Sequence, residues 1–348
     1  MTYRSTDSIE IRKAEEWLNQ YWKRPSGVEY YHARSVDEAV GLMREYGKEA
    51  VIISGGTDLL GLMKYRIVAP RAIVNLKNIP GLNYIQENEN TLSIGALTRI
   101  NDLQRSALIK SRYPALFEAA CAIASPQIRN MATVGGNLCQ NVRCWYYRRS
   151  PDTGITYNCR RKSEQGACYA ADGENQYHAV LGAQKCFAVC GSDLATVFLA
   201  LGAQVQTLNA EGGRSLSVDQ LYTPLGNTLQ TGEVVTAIQV PAVPSSTIQR
   251  FLKFRVRKTI DFAIVSVAVA IALEDDLVKD ARIVLGGVAH KPWRVPQAEE
   301  ILRGKRITGT LAVKAAAAAL SEALPLKKNS YKVDIARILV KRAIMGEN

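Results

Sequence analysis

Histidine is scarce in this chain. His32, His178 and His290 are the only three, and they are isolated from one another in the sequence. Neither the Ser/His/Asp and Cys/His arrangements of nucleophilic enzymes nor a pair of supported carboxylates is visible. We therefore assign no catalytic residue, and we expect His178 to face solvent.

Long apolar stretches are also lacking. The apolar run at residues 262–273 is far too short to span a bilayer, so no membrane span is predicted. Residues 1–25 are charged and lack the apolar core of a signal peptide. The expected location is therefore the cytoplasm.

Acidic residues are outnumbered, 32 against 44 lysines and arginines, which gives a net charge of +12. A nucleic-acid-binding protein would cluster its basic residues on a recognisable binding element, whereas here they are scattered. Nucleic acid is therefore not an expected partner. A positive surface also suits acidic partner subunits or an anionic cofactor.

Helices and strands alternate in the first half of the chain. Residues 9–23 predict a short amphipathic helix before a boundary at 24–27. Ser35 and Glu38 have capping-box spacing, which predicts that a helix begins there. Buried strands are predicted at 50–53, 72–76 and 91–94, and helices at 113–124 and 194–201.

The last third of the chain has a different pattern. A strand is predicted at 234–240, followed by a Pro/Ser-rich linker at 241–246. Two β-rich runs, 262–273 and 281–288, then precede three helical patterns at 295–303, 310–323 and 331–345. Strands followed by helices indicate a separate α+β domain.

Two loops carry adjacent glycines. The first is Ile53-Ser-Gly-Gly-Thr-Asp-Leu59, directly after a predicted strand, and the second is Ala132-Thr-Val-Gly-Gly-Asn-Leu138. Backbone N–H groups beside paired glycines can approach a phosphate closely. Neither loop has the G-x-G-x-x-G pattern of the common dinucleotide fold. Either pair alone also fits a tight turn, and a pyrophosphate-bearing cofactor between the two loops is the functional interpretation.

Six of the seven cysteines lie between residues 139 and 190, and four of these are inside a polar segment at about 140–187 without helical or strand period. A long irregular segment inside a compact domain is usually functional or disordered. Clustered cysteines in a cytosolic protein indicate a metal site more often than disulfides. Structural zinc remains an alternative to an iron–sulfur cluster, although the paired C-x2-C spacing common in zinc sites is absent.

The run Ser125-Pro-Gln-Ile-Arg-Asn-Met-Ala-Thr-Val-Gly-Gly-Asn137 resembles the signature of the flavoprotein subunits of xanthine dehydrogenase-type molybdenum hydroxylases. The first glycine loop, Gly191-Ser-Asp193 and Lys253-Phe-Arg-Val-Arg257 resemble further motifs of that family, in the correct order. The resemblance implies an α+β fold, with a two-lobed FAD-binding domain of the vanillyl-alcohol-oxidase (PCMH) type and a smaller α+β C-terminal domain. It also implies domain limits of 27–242 and 247–348, after an N-terminal helical extension at 1–26.

The same resemblance implies which residues bind FAD. Asp193 would bind further along the cofactor, and the Lys253 cation would stabilise reduced flavin at its polar edge. The implied FAD-binding residues are Ile53, Ser54, Gly55, Gly56, Thr57, Asp58, Leu59, Thr133, Val134, Gly135, Gly136, Asn137, Asp193 and Lys253.

Within the family, the cysteine-rich segment resembles that of the 4-hydroxybenzoyl-CoA reductase β subunit, which carries a [4Fe–4S] cluster on an insertion. The implied metal ligands are Cys144, Cys159, Cys168 and Cys186, with Cys190 as the alternative to Cys186. Nearby basic residues, among them Arg143 and Arg148, would offset the negative charge of the cluster.

The resemblance implies an electron-transfer subunit whose partners are a large molybdopterin-binding subunit and a small [2Fe–2S] subunit. An external carrier such as ferredoxin would exchange electrons with it. A 4-hydroxybenzoyl-CoA reductase-like complex would remove a phenolic hydroxyl from an aromatic acyl-CoA at the partner's molybdenum. The alternatives are the same role in an aromatic or N-heterocycle dehydrogenase, or a self-sufficient flavin oxidoreductase, because the fold alone does not fix the chemistry.

Overall fold

A computed structural model describes residues 27–149, 157–183 and 185–347. The helix predicted at 9–23 lies outside the described residues. None of the helices in the described ranges combines the length and apolar character that a membrane span requires.

The first lobe is a small parallel sheet. It contains β1 (Glu29–His32), α1 (Val36–Tyr46), β2 (Ala50–Ile53), α2 (Leu59–Lys64) and β3 (Ala72–Asn75). The strands pair in the order β1-β3-β2, both pairs being parallel. The predicted start of α1 is confirmed, because the Ser35 hydroxyl accepts a hydrogen bond from the Glu38 N–H at 3.1 Å. Parallel pairing puts the loop after β2 at the sheet's carboxyl edge.

The second lobe combines an antiparallel sheet with a layer of short helices. Its elements are β4 (Ile85–Glu87), β5 (Thr91–Gly95), α3 (Ile100–Arg105), α4 (Ala107–Arg112), α5 (Pro114–Ala122), α6 (Pro126–Met131), α7 (Val134–Leu138), α8 (Asp193–Ala200), β6 (Gln204–Asn209), β7 (Gly212–Ser217), β8 (Tyr222–Thr223), β9 (Gly226–Asn227) and β10 (Val234–Pro241). Five of these strands form a sheet in the order β4-β5-β10-β6-β7. The helix α8 is fully buried, as its apolar sequence predicts.

The C-terminal part is a four-stranded antiparallel sheet covered by three helices. It contains β11 (Thr247–Phe254), β12 (Val265–Glu274), β13 (Leu277–Gly286), β14 (Trp293–Arg294), α9 (Pro296–Leu302), α10 (Gly309–Ala319) and α11 (Tyr331–Met345). The α+β prediction is confirmed. Two strands were expected here, and the structure adds β11 and β14. The sequence does not reveal β11, because this edge strand is mostly half-buried and does not alternate between polar and apolar residues.

The core around α8 joins the two parts of the chain. Leu194 and Phe198 of α8 pack in one apolar cluster with Phe251, Ala268 and Val284 of the C-terminal sheet. A second cluster lies between that sheet and α9, α10 and α11. The C-terminal sheet is therefore buried on both faces, and β11 is held against the helices of the second lobe.

The cysteine-rich segment between α7 and α8 contains no helix or strand in its described residues, as its aperiodic sequence predicts. Near its end, the segment accepts hydrogen bonds from side chains in the first turn of α11 and in the loop before that helix. Lys332 is fully buried, which lowers the pKa of its amino group to about 7, and this group donates to the carbonyl oxygens of Tyr177 (3.2 Å), His178 (2.9 Å) and Gly287 (2.6 Å). Asn329 donates to His178 and Ala179, both at 3.1 Å. An otherwise irregular segment is thereby fixed to the C-terminal part.

Replacing Lys332 with methionine should lower the free energy of unfolding by about 3 kcal/mol, since three buried carbonyl groups lose their hydrogen-bond donor. Lys341→Met on the same helix is the matched control. Lys341 makes only a surface ion pair with Glu347 at 3.8 Å, so its loss should cost less than about 0.5 kcal/mol. Urea unfolding measures both variants, and equal stabilities would contradict the anchoring role.

Candidate functional site

The two glycine loops meet at one cleft. The Ser54 and Thr133 hydroxyls are 3.0 Å apart, and Gly55 lies directly against the end of α6. A Cβ atom on Gly55 would stand 2.2 Å from the Met131 carbonyl oxygen and 2.8 Å from the Ala132 Cα. Only glycine permits this approach, because backbone rather than a movable side chain occupies the space.

The cleft is lined by every predicted FAD-binding residue of the first loop, 53–59, and by Thr133, Gly135 and Gly136 of the second. The two loops offer different chemistry. In the described part of the chain, no group accepts a hydrogen bond from the N–H groups of Gly55, Gly56 and Thr57. Three unpaired backbone donors beside a cleft suit the oxygens of a pyrophosphate.

The amides of the second loop are already used. The second loop forms the short helix α7. Its Gly135 N–H donates to the Ala96 carbonyl oxygen at 2.8 Å, and its Gly136 N–H donates to the Thr133 hydroxyl at 3.1 Å. The contribution of this loop to the cleft is therefore its shape and hydroxyl group, together with its contact with the first loop. The sequence predicted equivalent amide arrays in both loops. Among the residues that the structure describes, the first loop has free N–H donors and the second loop does not.

Asp193 and Lys253 form a buried ion pair. Their side chains are 2.7 Å apart and only 6% and 4% exposed. Lys253 also donates to the Ala122 carbonyl oxygen at 3.1 Å. Ser192, which caps α8, donates to Asn137 at 2.7 Å. A continuous chain of contacts thus runs from the second glycine loop through the start of α8 to β11, and the charge of Lys253 is balanced inside the protein.

Asp58 has a role that the sequence did not reveal. Its carboxylate accepts hydrogen bonds from Arg143 (2.8 Å), Arg148 (3.1 Å) and the Asn141 N–H (3.0 Å). Because two guanidinium groups share this one carboxylate, one positive charge remains beside the cysteine-rich segment, and the expectation that Arg143 and Arg148 offset the charge of a cluster stays a prediction. The first glycine loop is thereby bound to the beginning of the cysteine-rich segment.

Four thiols line a second, smaller space, which we call the thiol cavity. They are those of Cys144, Cys159, Cys168 and Cys186. Burial raises the pKa of the Cys144 thiol to about 11, and the neighbouring Cys186 and Cys159 act in the same direction. The expectation that His178 faces solvent is wrong, because this residue is 2% exposed and its Nε2 lies 3.3 Å from Cys144 Sγ. The sequence could not show this contact between residues 34 positions apart.

The other two cysteines of the segment lie elsewhere. Cys139 lines the cleft between the glycine loops, and Cys190 lies beside Tyr222, whose hydroxyl donates to the Leu138 carbonyl oxygen at 2.9 Å. In the ranges that the structure describes, no three or more Cys, His, Asp or Glu side chains are arranged to hold a metal ion. The four thiols therefore surround a common cavity without meeting at one point.

Comparison with known proteins identifies the family. Residues 26–243 match the family model of the FAD-binding domain in molybdopterin dehydrogenases, and residues 250–346 match that of the CO dehydrogenase flavoprotein C-terminal domain. This chain belongs to that flavoprotein family. It is an FAD-binding subunit of the molybdenum hydroxylase type.

Individual relatives of this flavoprotein agree with the family models. The FAD-binding subunit PaoB of Escherichia coli aldehyde oxidoreductase is 36% identical over 83% of this chain and 88% of its own length. The medium chain of Hydrogenophaga pseudoflava carbon monoxide dehydrogenase is 30% identical over 92% of this chain and 96% of its own. A solved structure of carbon monoxide dehydrogenase from that organism, without the Mo-pyranopterin moiety, superposes with a TM-score of 0.74 at 29% identity, covering 92% of this chain and 97% of that one.

Replacing Gly55 with alanine should destabilise the flavoprotein by about 3 kcal/mol and reduce the flavin retained on purification, because the new methyl group forces the two loops apart. Gly61→Ala in α2 is the control. A Cβ atom there meets nothing within 4 Å, so it should stabilise the protein by about 0.5 kcal/mol. Urea unfolding and flavin absorbance per chain measure both effects. Unchanged stability and flavin content in Gly55→Ala would contradict the close approach.

Proposed function

We propose that this flavoprotein is the FAD- and [4Fe–4S]-carrying electron-transfer subunit of a heteromeric molybdenum hydroxylase. One observation carries the proposal: the flavin cleft lies beside the thiol cavity. Ion pairs of Asp58 with Arg143 and Arg148 connect the two sites. The proposed domain limits are 27–242 for the FAD-binding domain, with the cysteine-rich insertion at about 140–187, and 247–348 for the C-terminal domain.

The first glycine loop would hold the FAD pyrophosphate with the N–H groups of Gly55, Gly56 and Thr57. The other predicted cofactor-binding residues of both loops would shape the site around the ribityl chain. Asp193 and Lys253, which are buried as a pair, would lie toward the flavin ring and fix its polar edge. Bound FAD supplies an acceptor and donor of one or two electrons, and the protein sets its orientation and electrostatic surroundings.

Cys144, Cys159, Cys168 and Cys186 would hold the [4Fe–4S] cluster. In a cubane cluster each thiolate binds a different iron atom, so the four sulfur atoms stand around the cluster instead of meeting at a single ion. Thiols that line one cavity without converging favour this site over a tetrahedral zinc site. Arg160 and Lys185 also line the cavity, and their positive charge would offset that of the cluster.

The purified, anaerobically handled chain should contain FAD and about four iron atoms per chain. Replacing Cys144, Cys159, Cys168 or Cys186 with serine should remove most of the iron. Cys121→Ser is the control, since Cys121 lies on α5, and Cys139→Ser and Cys190→Ser test the two cysteines outside the thiol cavity. Stoichiometric zinc without iron, or iron loss in Cys190→Ser but not in Cys186→Ser, would contradict this ligand set.

The names of the relatives support the proposed partners and the proposed direction of electron flow. The relatives are named as medium chains or FAD-binding subunits, which supports assembly with a large molybdopterin-binding and a small [2Fe–2S] subunit in the cytoplasm. Their names as aldehyde oxidoreductase and carbon monoxide dehydrogenase support substrate oxidation by the complex, with electrons leaving through this chain to a carrier such as ferredoxin. The cysteine-rich insertion supports a second candidate, reductive dehydroxylation of the 4-hydroxybenzoyl-CoA reductase type.

Anaerobic addition of an aldehyde such as benzaldehyde should bleach the flavin absorbance of the assembled complex but not of the isolated chain, because the substrate binds on the partner subunit. Turnover of 4-hydroxybenzoyl-CoA with reduced ferredoxin, and no bleaching by aldehydes, would instead favour the reductive candidate. Flavin bleaching in the isolated chain would contradict the division of labour between subunits.

A further inference from the structure

Cys144 differs from the other three residues of the proposed cluster site in having a buried polar side chain at its sulfur. His178 does not line the thiol cavity, yet its Nε2 atom lies 3.3 Å from Cys144 Sγ. Both residues line a separate space outside that cavity. In the described part of the chain, no side chain forms a hydrogen bond with the sulfur of Cys159, Cys168 or Cys186. His178 therefore contacts one thiol from outside the space that the four thiols share.

The backbone of His178 is fixed from both sides. Its N–H donates to the carbonyl oxygen of Asn175 at 3.0 Å, and Asn175 is itself fully buried. Its carbonyl oxygen accepts hydrogen bonds from Lys332 at 2.9 Å and from Asn329 at 3.1 Å. These contacts fix the point from which the imidazole ring extends toward Cys144.

The imidazole ring of His178 is also enclosed by aromatic neighbours. Its centroid lies 6.3 Å from that of Trp145, with the ring planes at 87°, and 5.9 Å from that of Tyr146, with the planes at 39°. His178 is 2% exposed, so bulk water does not compete for its contact with Cys144. A hydrogen bond in such a low-dielectric environment is electrostatically stronger than the same bond in water.

The direction of this hydrogen bond follows from the chemistry of the two groups. A cysteine that binds iron is a thiolate, which has no proton to donate and can only accept. The other ring nitrogen of His178, Nδ1, is buried and has no partner among the described residues. No described acceptor therefore holds the ring proton at Nδ1, whereas a proton on Nε2 gains the sulfur as its partner.

We propose that His178 is a positioning residue that donates a hydrogen bond to the Cys144 thiolate and raises the reduction potential of the proposed cluster. This inference rests on the proposed function, because it needs a cluster at Cys144. Uptake of one electron makes the cluster more negative, and an N–H donor at a ligand sulfur stabilises the more negative state. In this role His178 keeps its proton and does not bind iron.

Redox titration of the purified full chain, followed by electron paramagnetic resonance of the reduced cluster, measures this effect. His178→Phe keeps an aromatic ring but has no N–H group. It should disfavour reduction of the cluster about tenfold, roughly the weight of one hydrogen bond to a charged group. For a one-electron couple this is a shift of about 59 mV toward more negative potential. His178→Gln should restore most of the potential, because its amide N–H can donate to the same sulfur.

His290→Phe is the matched control. His290 is also buried, its Nδ1 also lacks a partner among the described residues, and it does not line the thiol cavity. Its replacement should leave the reduction potential unchanged. An unshifted potential in His178→Phe, or an equal shift in His290→Phe, would overturn the inference. So would a shift in His178→Gln as large as that in His178→Phe, since the donor would then have no role.

A measurement on the unmodified chain does not depend on how the variants fold. Pulsed electron paramagnetic resonance of the dithionite-reduced chain, prepared with ¹⁵N-labelled histidine, should show a weak nitrogen coupling from a ring that is hydrogen-bonded to a ligand sulfur. A strong coupling would make a histidine an iron ligand, and no coupling would remove the hydrogen bond, so either result overturns the inference.

Iron and flavin contents are measured on the same samples. A chain without iron would refute the proposed function and the role of His178 together. A full iron content with an unshifted potential in His178→Phe would refute the role of His178 alone.

Discussion

The carboxylate of Asp58 connects the parts of this molecule that its function needs. It belongs to the first glycine loop and receives two guanidinium groups and one amide from the beginning of the cysteine-rich segment. Charge-assisted hydrogen bonds of this kind fix geometry as well as supplying energy. The position of Arg143 therefore depends on a residue of the flavin cleft. The same contact joins the beginning of the cysteine-rich segment to that cleft.

The two glycine loops are similar in sequence but differ in the backbone N–H groups that they offer to a ligand. Both have a hydroxyl residue and paired glycines, so the prediction gave them equal roles. In the described part of the chain, the N–H groups of Gly55, Gly56 and Thr57 have no acceptor, whereas those of Gly135 and Gly136 donate to the Ala96 carbonyl oxygen and the Thr133 hydroxyl. The difference arises from the neighbours of each loop. The first loop follows a parallel strand and opens into the cleft, whereas the second pairs with residues 96 and 98 beside β5.

The cysteine-rich segment shows how irregular structure can be fixed without secondary structure. Its beginning is bound by Asp58 and its end by Lys332 and Asn329, which lie about 150 residues further along the chain. Between these points, the rings of Tyr146, Tyr157 and Tyr169 pack against one another, and Tyr146 and Tyr169 line the thiol cavity. Such a segment has no periodic pattern, so its arrangement depends on local turns together with these distant contacts.

The sequence by itself determined the helices and strands with clear period or caps, such as α1 from Ser35, and the presence of two glycine loops and a cysteine-rich segment. Local propensity and capping act within a few residues, so one sequence is enough to reveal them. Tertiary structure alone decided that β11 is a strand, that Lys253 is buried against Asp193, and that His178 contacts Cys144. These depend on which distant residues meet when apolar surfaces are buried, and no local pattern encodes that choice.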